Sequence, residues 1–185
     1  PQMSTHQFTY LDLETKYTAT DVGGWVPAKL GLSVAVVVTG CTLRIFKEKE
    51  IDKLVHVLQT AKCVVGYNLK NFDFGVLEGY KTDLINQVTC FDMMEDLGRI
   101  AGRRIRFSSV ERATLGLTRE LDGLDMVKAW KTGDLVGLIE GCCNDVLAFK
   151  AVHEYGMENG EVLYYPNEAK RRRRIPVQWC HDRIP

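Results

Sequence analysis

Two carboxylates, Asp12 and Glu14, stand two residues apart at the end of the stretch Phe8-Thr9-Tyr10-Leu11-Asp12-Leu13-Glu14. In a strand, residues i and i+2 leave the same face, so these acids would lie side by side while Leu11 and Leu13 leave the other face. Like charges that close raise each other's pKa unless a cation lies between them. An Asp-x-Glu pair on a strand therefore suits a hard divalent cation held by oxygen ligands. Such pairs also occur on solvated strands, so both readings stand on this pair alone.

Two further aspartates fall among apolar residues. In Asn68-Leu69-Lys70-Asn71-Phe72-Asp73-Phe74, helical spacing puts Val76 and Leu77 beside Asp73, where a charge is costly unless paired or liganded. An acid at a helix N-terminus, favoured by the macrodipole, accounts for Asp73 equally well. Asp145 lies within a stripe formed by Leu135, Leu138, Ile139, Cys142, Val146, Phe149 and Val152, on a helix expected over about 134–155. It should point inward, and a mid-helix aspartate has no capping role, which favours a functional carboxylate over a structural salt bridge. Asp21, Asp52, Asp122 and Asp134 read as turn or helix-cap residues.

The elements that must position these acids are legible from periodicity. Phe8 to Leu13, Leu32 to Thr39 and Thr42 to Phe46 read as consecutive antiparallel strands, the last two joined at Gly40-Cys41. Ile51, Leu54, Val55 and Leu58 fall at helical spacing, followed by a short strand at 63–65, a helical stretch over 69–80 and a strand at 87–91. The rest is mostly helical to Tyr155. Alternation of this kind signals an α/β fold: a mixed sheet of three antiparallel strands followed by parallel strands, flanked by helices. Val162 to Tyr165 and Ile175 to Trp179 suggest an added C-terminal hairpin within 161–180.

At 185 residues and 45% hydrophobic, the chain is expected to form one domain over 1–185. Lys plus Arg and Asp plus Glu each number 24, so the whole-chain field offers no pull on a polyanion, and any nucleic-acid role must rest on local features. The cysteines show no C-x-x-C spacing, which favours a reducing compartment. No run approaches a membrane span, and PQMSTHQ lacks the regions of a signal peptide; a cytoplasmic location is expected.

Taken in order, Asp12-Leu13-Glu14-Thr15, Val65-Gly66-Tyr67-Asn68 with Phe72-Asp73, and Cys143-Asn144-Asp145-Val146 resemble the motifs of the DEDD superfamily of 3′-to-5′ exonucleases, which includes polymerase proofreading domains. The stretch Gly123 to Trp130 is similar to an uncharacterised bacterial ribonuclease H-like branch of it. The resemblance implies a ribonuclease H-like fold, a DNA or RNA substrate entered at single-stranded 3′ ends, and two Mg2+ or Mn2+ ions held by Asp12, Glu14, Asp73 and Asp145. One ion would activate a water and the other stabilise the leaving oxygen, which agrees with two-metal phosphodiester chemistry. It also implies contacts of Leu13 with the terminal nucleotide, and of Asn68 with substrate or with Asp73.

The sequence departs from that family at one functional position. A tyrosine four residues before the last aspartate, or a histidine five before it, orients or deprotonates water in the two branches; here Gly141 and Glu140 stand there. Loss of a general base typically costs about two to four orders of magnitude in rate. The alternative reading is a catalytically weak or inactive nucleic-acid-binding module that keeps the fold. Glu140 is either a substitute base or a solvent-facing acid, and Tyr67, Tyr155 and His153 fit core or rim positions. Arg103, Arg104 and Arg106, and the run Lys170 to Arg174, are either phosphate contacts or solvated loops. Trp25, Trp130 and Trp179 are base-stacking or core residues. Cys142-Cys143 and Cys180-His181 lack the matching pair a zinc finger requires.

Overall fold

The computed structural model describes residues 8–118, 122–166 and 171–179. Its centre is a five-stranded sheet in the order β3-β2-β1-β4-β5, where β1 is Thr9–Thr15, β2 Leu32–Thr39, β3 Thr42–Lys47, β4 Val64–Gly66 and β5 Cys90–Asp92. The first three strands pair antiparallel, and β4 and β5 run parallel to β1. This is the mixed α/β architecture expected from the sequence. β1 is buried along its whole length because it is the central strand and is covered on both faces.

The helices divide the core in two. On one face α1 (Ile51–Thr60) and α2 (Asp73–Leu77) pack through Leu54, Leu58, Phe74 and Leu77 against Leu11, Leu13, Val37 and Val64. On the other lie α3 (Met93–Ala101), α4 (Phe107–Leu115), α5 (Gly123–Thr132) and the long α6 (Leu135–Asn159), which enclose Tyr10, Val34, Val36 and Val65. Two-residue alternation along β1 thus sends Leu11 and Leu13 to one core and Tyr10, Asp12 and Glu14 towards the other.

Several boundaries differ from the sequence expectation, each for a local reason. The helix expected over 69–80 is confined to Asp73–Leu77, because Asn68 adopts a left-handed conformation at φ 66° and Asp92 takes the amides of Asn68 and Lys70. The segment 84–87 forms a 3-10 turn, leaving only Cys90–Asp92 as strand. Leu135 is 41% exposed rather than in the core stripe, since the buried residues of α6 begin only at Leu138. Two C-terminal strands, β6 (Glu161–Tyr164) and β7 (Arg173–Pro176), pair antiparallel. Trp179 lies beyond β7, buried against the core.

Two long connections are also anchored. The segment after β1 returns through a 3-10 turn at Pro27–Lys29 that presses on α2: a Cβ at Gly79 would lie 2.2 Å from the Ala28 carbonyl oxygen. Only glycine permits that approach, and the contact brings the loop bearing Trp25 over the start of α2. Beside α4, the Ser109 hydroxyl donates to the Tyr165 carbonyl and accepts its amide, and Thr114 does the same for Leu163. The outer edge of β6 is thereby held on the helix. Among the described residues no helix is long and apolar enough to cross a membrane.

Candidate metal centre

Asp12 and Glu14 leave the face of β1 on which α6 packs, and they are 9% and 8% exposed. A register shift in the β1–β2 ladder falls between Glu14 and Thr15, so the pleat that places both acids on this face ends directly after the second one. Asp145, half-buried on α6, projects down to meet them. One carboxylate oxygen from each of the three lies within 4.8 Å of the others. Hydrophobic burial of Cys142, Val146 and Phe149 is what presses α6 onto the sheet and carries Asp145 into a site it would avoid on electrostatic grounds alone.

Asp73 is the first residue of α2 and only 2% exposed. It lies outside the 4.8 Å set, but its carboxyl is pushed well above the usual range by burial first and by the negative charge of Asp12 next. Its own amide and that of Leu13 act in the opposite direction, and Asp92 adds to the rise. Its Oδ1 has no hydrogen-bond partner among the described residues. A buried carboxylate oxygen without a partner costs about 1–3 kcal/mol or more. An all-oxygen donor set of converging carboxylates, plus an orphaned buried carboxylate oxygen beside it, fits a hard divalent cation.

Two further residues support the acids: Asp92, which the sequence reading did not single out, and Cys142, which it placed in the core stripe. Asp92 is 3% exposed and accepts from the amides of Asn68 (2.9 Å), Lys70 (3.1 Å), Met94 (3.0 Å) and Glu95 (3.4 Å). It caps α3 and, in the same act, clamps the turn that leads to Asp73. The legible signal was an aspartate at a strand end three residues before a glutamate, the spacing of a helix start. Cys142 directs its Sγ to the Asp12 Oδ2 at 3.2 Å. Burial, with the charges of Asp12 and Glu14 next, pushes the thiol well above its ordinary value, so it stays protonated and donates.

The remaining expectations sort clearly. Leu13 has its side chain in the opposite core at 1% exposure, leaving its backbone as the part turned to the site. Asn68 acts through its backbone conformation and its amide bond to Asp92. The Tyr67 hydroxyl donates to the Ile105 carbonyl at 2.9 Å, and buried His153 meets the Tyr10 hydroxyl at 3.0 Å through Nδ1; both are core residues. At Gly141 a Cβ would lie 2.6 Å from Cε of Met126, so any larger side chain there requires the tip of that methionine on α5 to move. Glu140 is exposed and borders, with Gly141 and Asp145, a cleft of about 620 Å³. Cys180 and His181 lie outside the described residues.

Comparison with known proteins agrees with this architecture. The family model of the RNase_H superfamily matches residues 9–133, which takes in the sheet and two of the four acids of interest on β1 together with Asp73. The chain belongs to the RNase_H superfamily. No curated protein sequence matches it. Among solved structures, this RNase_H-superfamily chain is similar to a family B DNA polymerase from the hyperthermophilic archaeon Pyrobaculum calidifontis, with TM-score 0.57 and 15% identity over 80% of the chain. It spans only 24% of that polymerase's length, and at such identity the likeness concerns the fold.

The Asp73 environment sets a pH dependence. Because its carboxyl sits above the ordinary 3.8 when folded, the folded chain keeps a proton there that the unfolded chain releases. Stability from this group is full below the unfolded value and declines as pH rises towards the folded one. This group alone therefore draws metal-free stability down from about pH 4 upward, by at most about 1.4 kcal/mol per pH unit, against the opposite trend of Asp21, Glu48 and Glu50, whose folded values are lowered. Asp73→Asn should flatten that decline in thermal melts, and added Mg2+ should recover stability at neutral pH in the parent only.

Proposed function

We propose that this protein is a metal-dependent nuclease that shortens single-stranded DNA or RNA from the 3′ end. The observation that carries the reading is the convergence of Asp12, Glu14 and Asp145 beside buried Asp73, one of whose carboxyl oxygens, Oδ1, lacks a partner among the described residues. Membership of the RNase_H superfamily and the motif order support it, as does the fold shared with a DNA polymerase.

In this reading Asp12, Glu14 and Asp145 would hold one cation, and Asp73 with Asp12 would contribute to a second. Bound Mg2+ or Mn2+ supplies charge that lowers the pKa of an attacking water and stabilises the leaving oxygen. The protein's own part is to hold the four acids in place; the proton that burial favours on Asp73 would be displaced by a bound cation. Cys142 holds the Asp12 carboxylate by its thiol, and Asp92 fixes the turn before Asp73. Substrate is oriented by Trp25, which is 64% exposed and stacks on Phe72 at 6.0 Å between ring centroids, 18° from parallel. An exposed ring held flat beside a metal-binding acid is suited to the face of a terminal base. Trp130 and Trp179 are more buried and serve the core.

A second reading, a weak or inactive nucleic-acid-binding module, draws on Gly141, which stands where the family has a tyrosine and packs against the side-chain tip of Met126. The two differ in how the chain treats end-labelled strands. The nuclease reading expects stepwise shortening from the 3′ end that stops with chelator. Asp12→Asn and Asp145→Asn should each lower the rate by more than about a hundredfold, since even outer-shell partners of a metal cost about 10- to 100-fold. Absence of cleavage by the parent with either metal would sink it. Trp25→Ala should raise KM about tenfold with little change in kcat, because stacking contributes ~1–3 kcal/mol per base; an unchanged KM removes Trp25 from the substrate path. Finally, Gly141→Tyr combined with Met126→Ala, which vacates the space, should speed cleavage by about two orders of magnitude. No gain despite intact Mg2+ binding would favour the binding module.

A further inference from the structure

Away from the acids, a second set of charges, all exposed, borders a cleft of about 600 Å³. Its wall carries Arg103, Arg104, Arg106 and Arg112 with Ser108 and Thr118, and none of the described lining residues is acidic. The protein as a whole is neutral, with 24 basic and 24 acidic residues, so this wall is a local concentration of positive charge rather than a reflection of composition. Concave walls of one sign focus the field and attract counter-charge more strongly than a convex surface does.

Two of the guanidinium groups also lie on aromatic rings. Arg112 stacks on Tyr165 with its Cζ 4.4 Å from the ring centroid, and Arg103 lies 5.6 Å over Tyr164. A guanidinium laid on a ring keeps its N–H donors at the edge, where they meet phosphate oxygens without first being ordered. Between Arg104 and Arg106, Ile105 is 4% exposed, and its carbonyl accepts from the Tyr67 hydroxyl. This buried anchor forces the two flanking arginines outward. Tyr67 directly follows β4, at the strand end that leads through Asn68 to Asp73, so the arginine turn is tied to the same end of the sheet as the acids. Thr118 borders both this cleft and the one that reaches Asp145.

We propose that the cleft walled by Arg104, Arg106 and Arg112 grips the phosphate backbone of a single-stranded polynucleotide, upstream of the terminus presented to the acids. The inference rests on the nucleic-acid reading above and adds a second anchorage, which makes the protein sensitive to strand length. Each phosphate neutralised releases condensed counterions, and single strands show a salt slope of about 0.7 per contact.

The test is equilibrium binding of labelled oligothymidylates of roughly 4 to 16 nucleotides in chelator, so that no cleavage occurs, with parent protein and Arg104→Gln/Arg106→Gln/Arg112→Gln. Parent affinity should rise with length. The triple variant should bind the longest strand at least about tenfold more weakly, with a log–log salt slope shallower by about two, and bind the shortest strand as the parent does. Thermal melts check folding, and if the triple variant is unstable Arg104→Gln/Arg106→Gln, which keeps the Arg112–Tyr165 stack, should show a proportionately smaller loss, with a slope shallower by about 1.4. Equal binding of the longest strand by parent and variants overturns the proposal. So does competition by inorganic tripolyphosphate at the affinity of the longest strand, which would mark a small-anion pocket. Arginine-dependent binding without any metal-dependent cleavage upholds this cleft while removing the nuclease reading; cleavage with arginine-independent binding does the reverse.

Discussion

Carboxylates withdrawn from water and brought together must be protonated, hydrogen-bonded or bridged by a cation, and the rest of this structure is arranged around that requirement. Burial of apolar residues on both faces of β1 supplies the force that gathers Asp12, Glu14 and Asp145. No local preference would bring three acids so close; the surrounding leucines and valines gain enough from leaving water to impose it. Asp73 shows the cost most plainly, with burial raising its affinity for a proton and one oxygen lacking a donor. A site destabilised in this way holds its energy ready for a cation to release.

Support for the acids comes from neighbours that are themselves satisfied. Asp92 spends its carboxylate on four backbone amides, two in the turn before Asp73 and two in the first turn of α3. One side chain thus fixes the relative position of a loop and a helix. Cys142 adds a donor to Asp12 from within the core. The arginine cleft follows the same logic, since a buried isoleucine and a tyrosine hydroxyl anchor the backbone between Arg104 and Arg106, and two aromatic rings carry Arg103 and Arg112.

Much of this was legible in the sequence because it depends on short-range periodicity. The β-branched run in Leu32 to Thr39 and the 3.6-residue stripe through Cys142, Val146 and Phe149 carry their own spatial meaning, and an aspartate inside such a stripe stands out. The acids on β1 needed only the two-residue repeat of a strand to be placed on one face. What escaped is non-local. The role of Asp92 depends on a turn 24 residues earlier, and in sequence it is only a helix start. The left-handed Asn68 shortens the expected helix because of that same bond. The meaning of Gly141 depends on Met126 across a helix pair, which no window along the chain contains.

The hydroxyls of Ser109 and Thr114 have a consequence for the protein's surface. A two-stranded hairpin ordinarily leaves a free row of amides and carbonyls, a template on which another chain can continue the sheet. Here, at Leu163 and Tyr165, both the amide and the carbonyl are already engaged by one hydroxyl each. Helix α4 therefore plays the part of a third strand, closing one side of the hairpin with side chains instead of backbone. That closure protects against edge-to-edge association, and because it depends on two small hydroxyls, a single methyl-for-hydroxyl exchange on α4 reopens part of an adhesive edge.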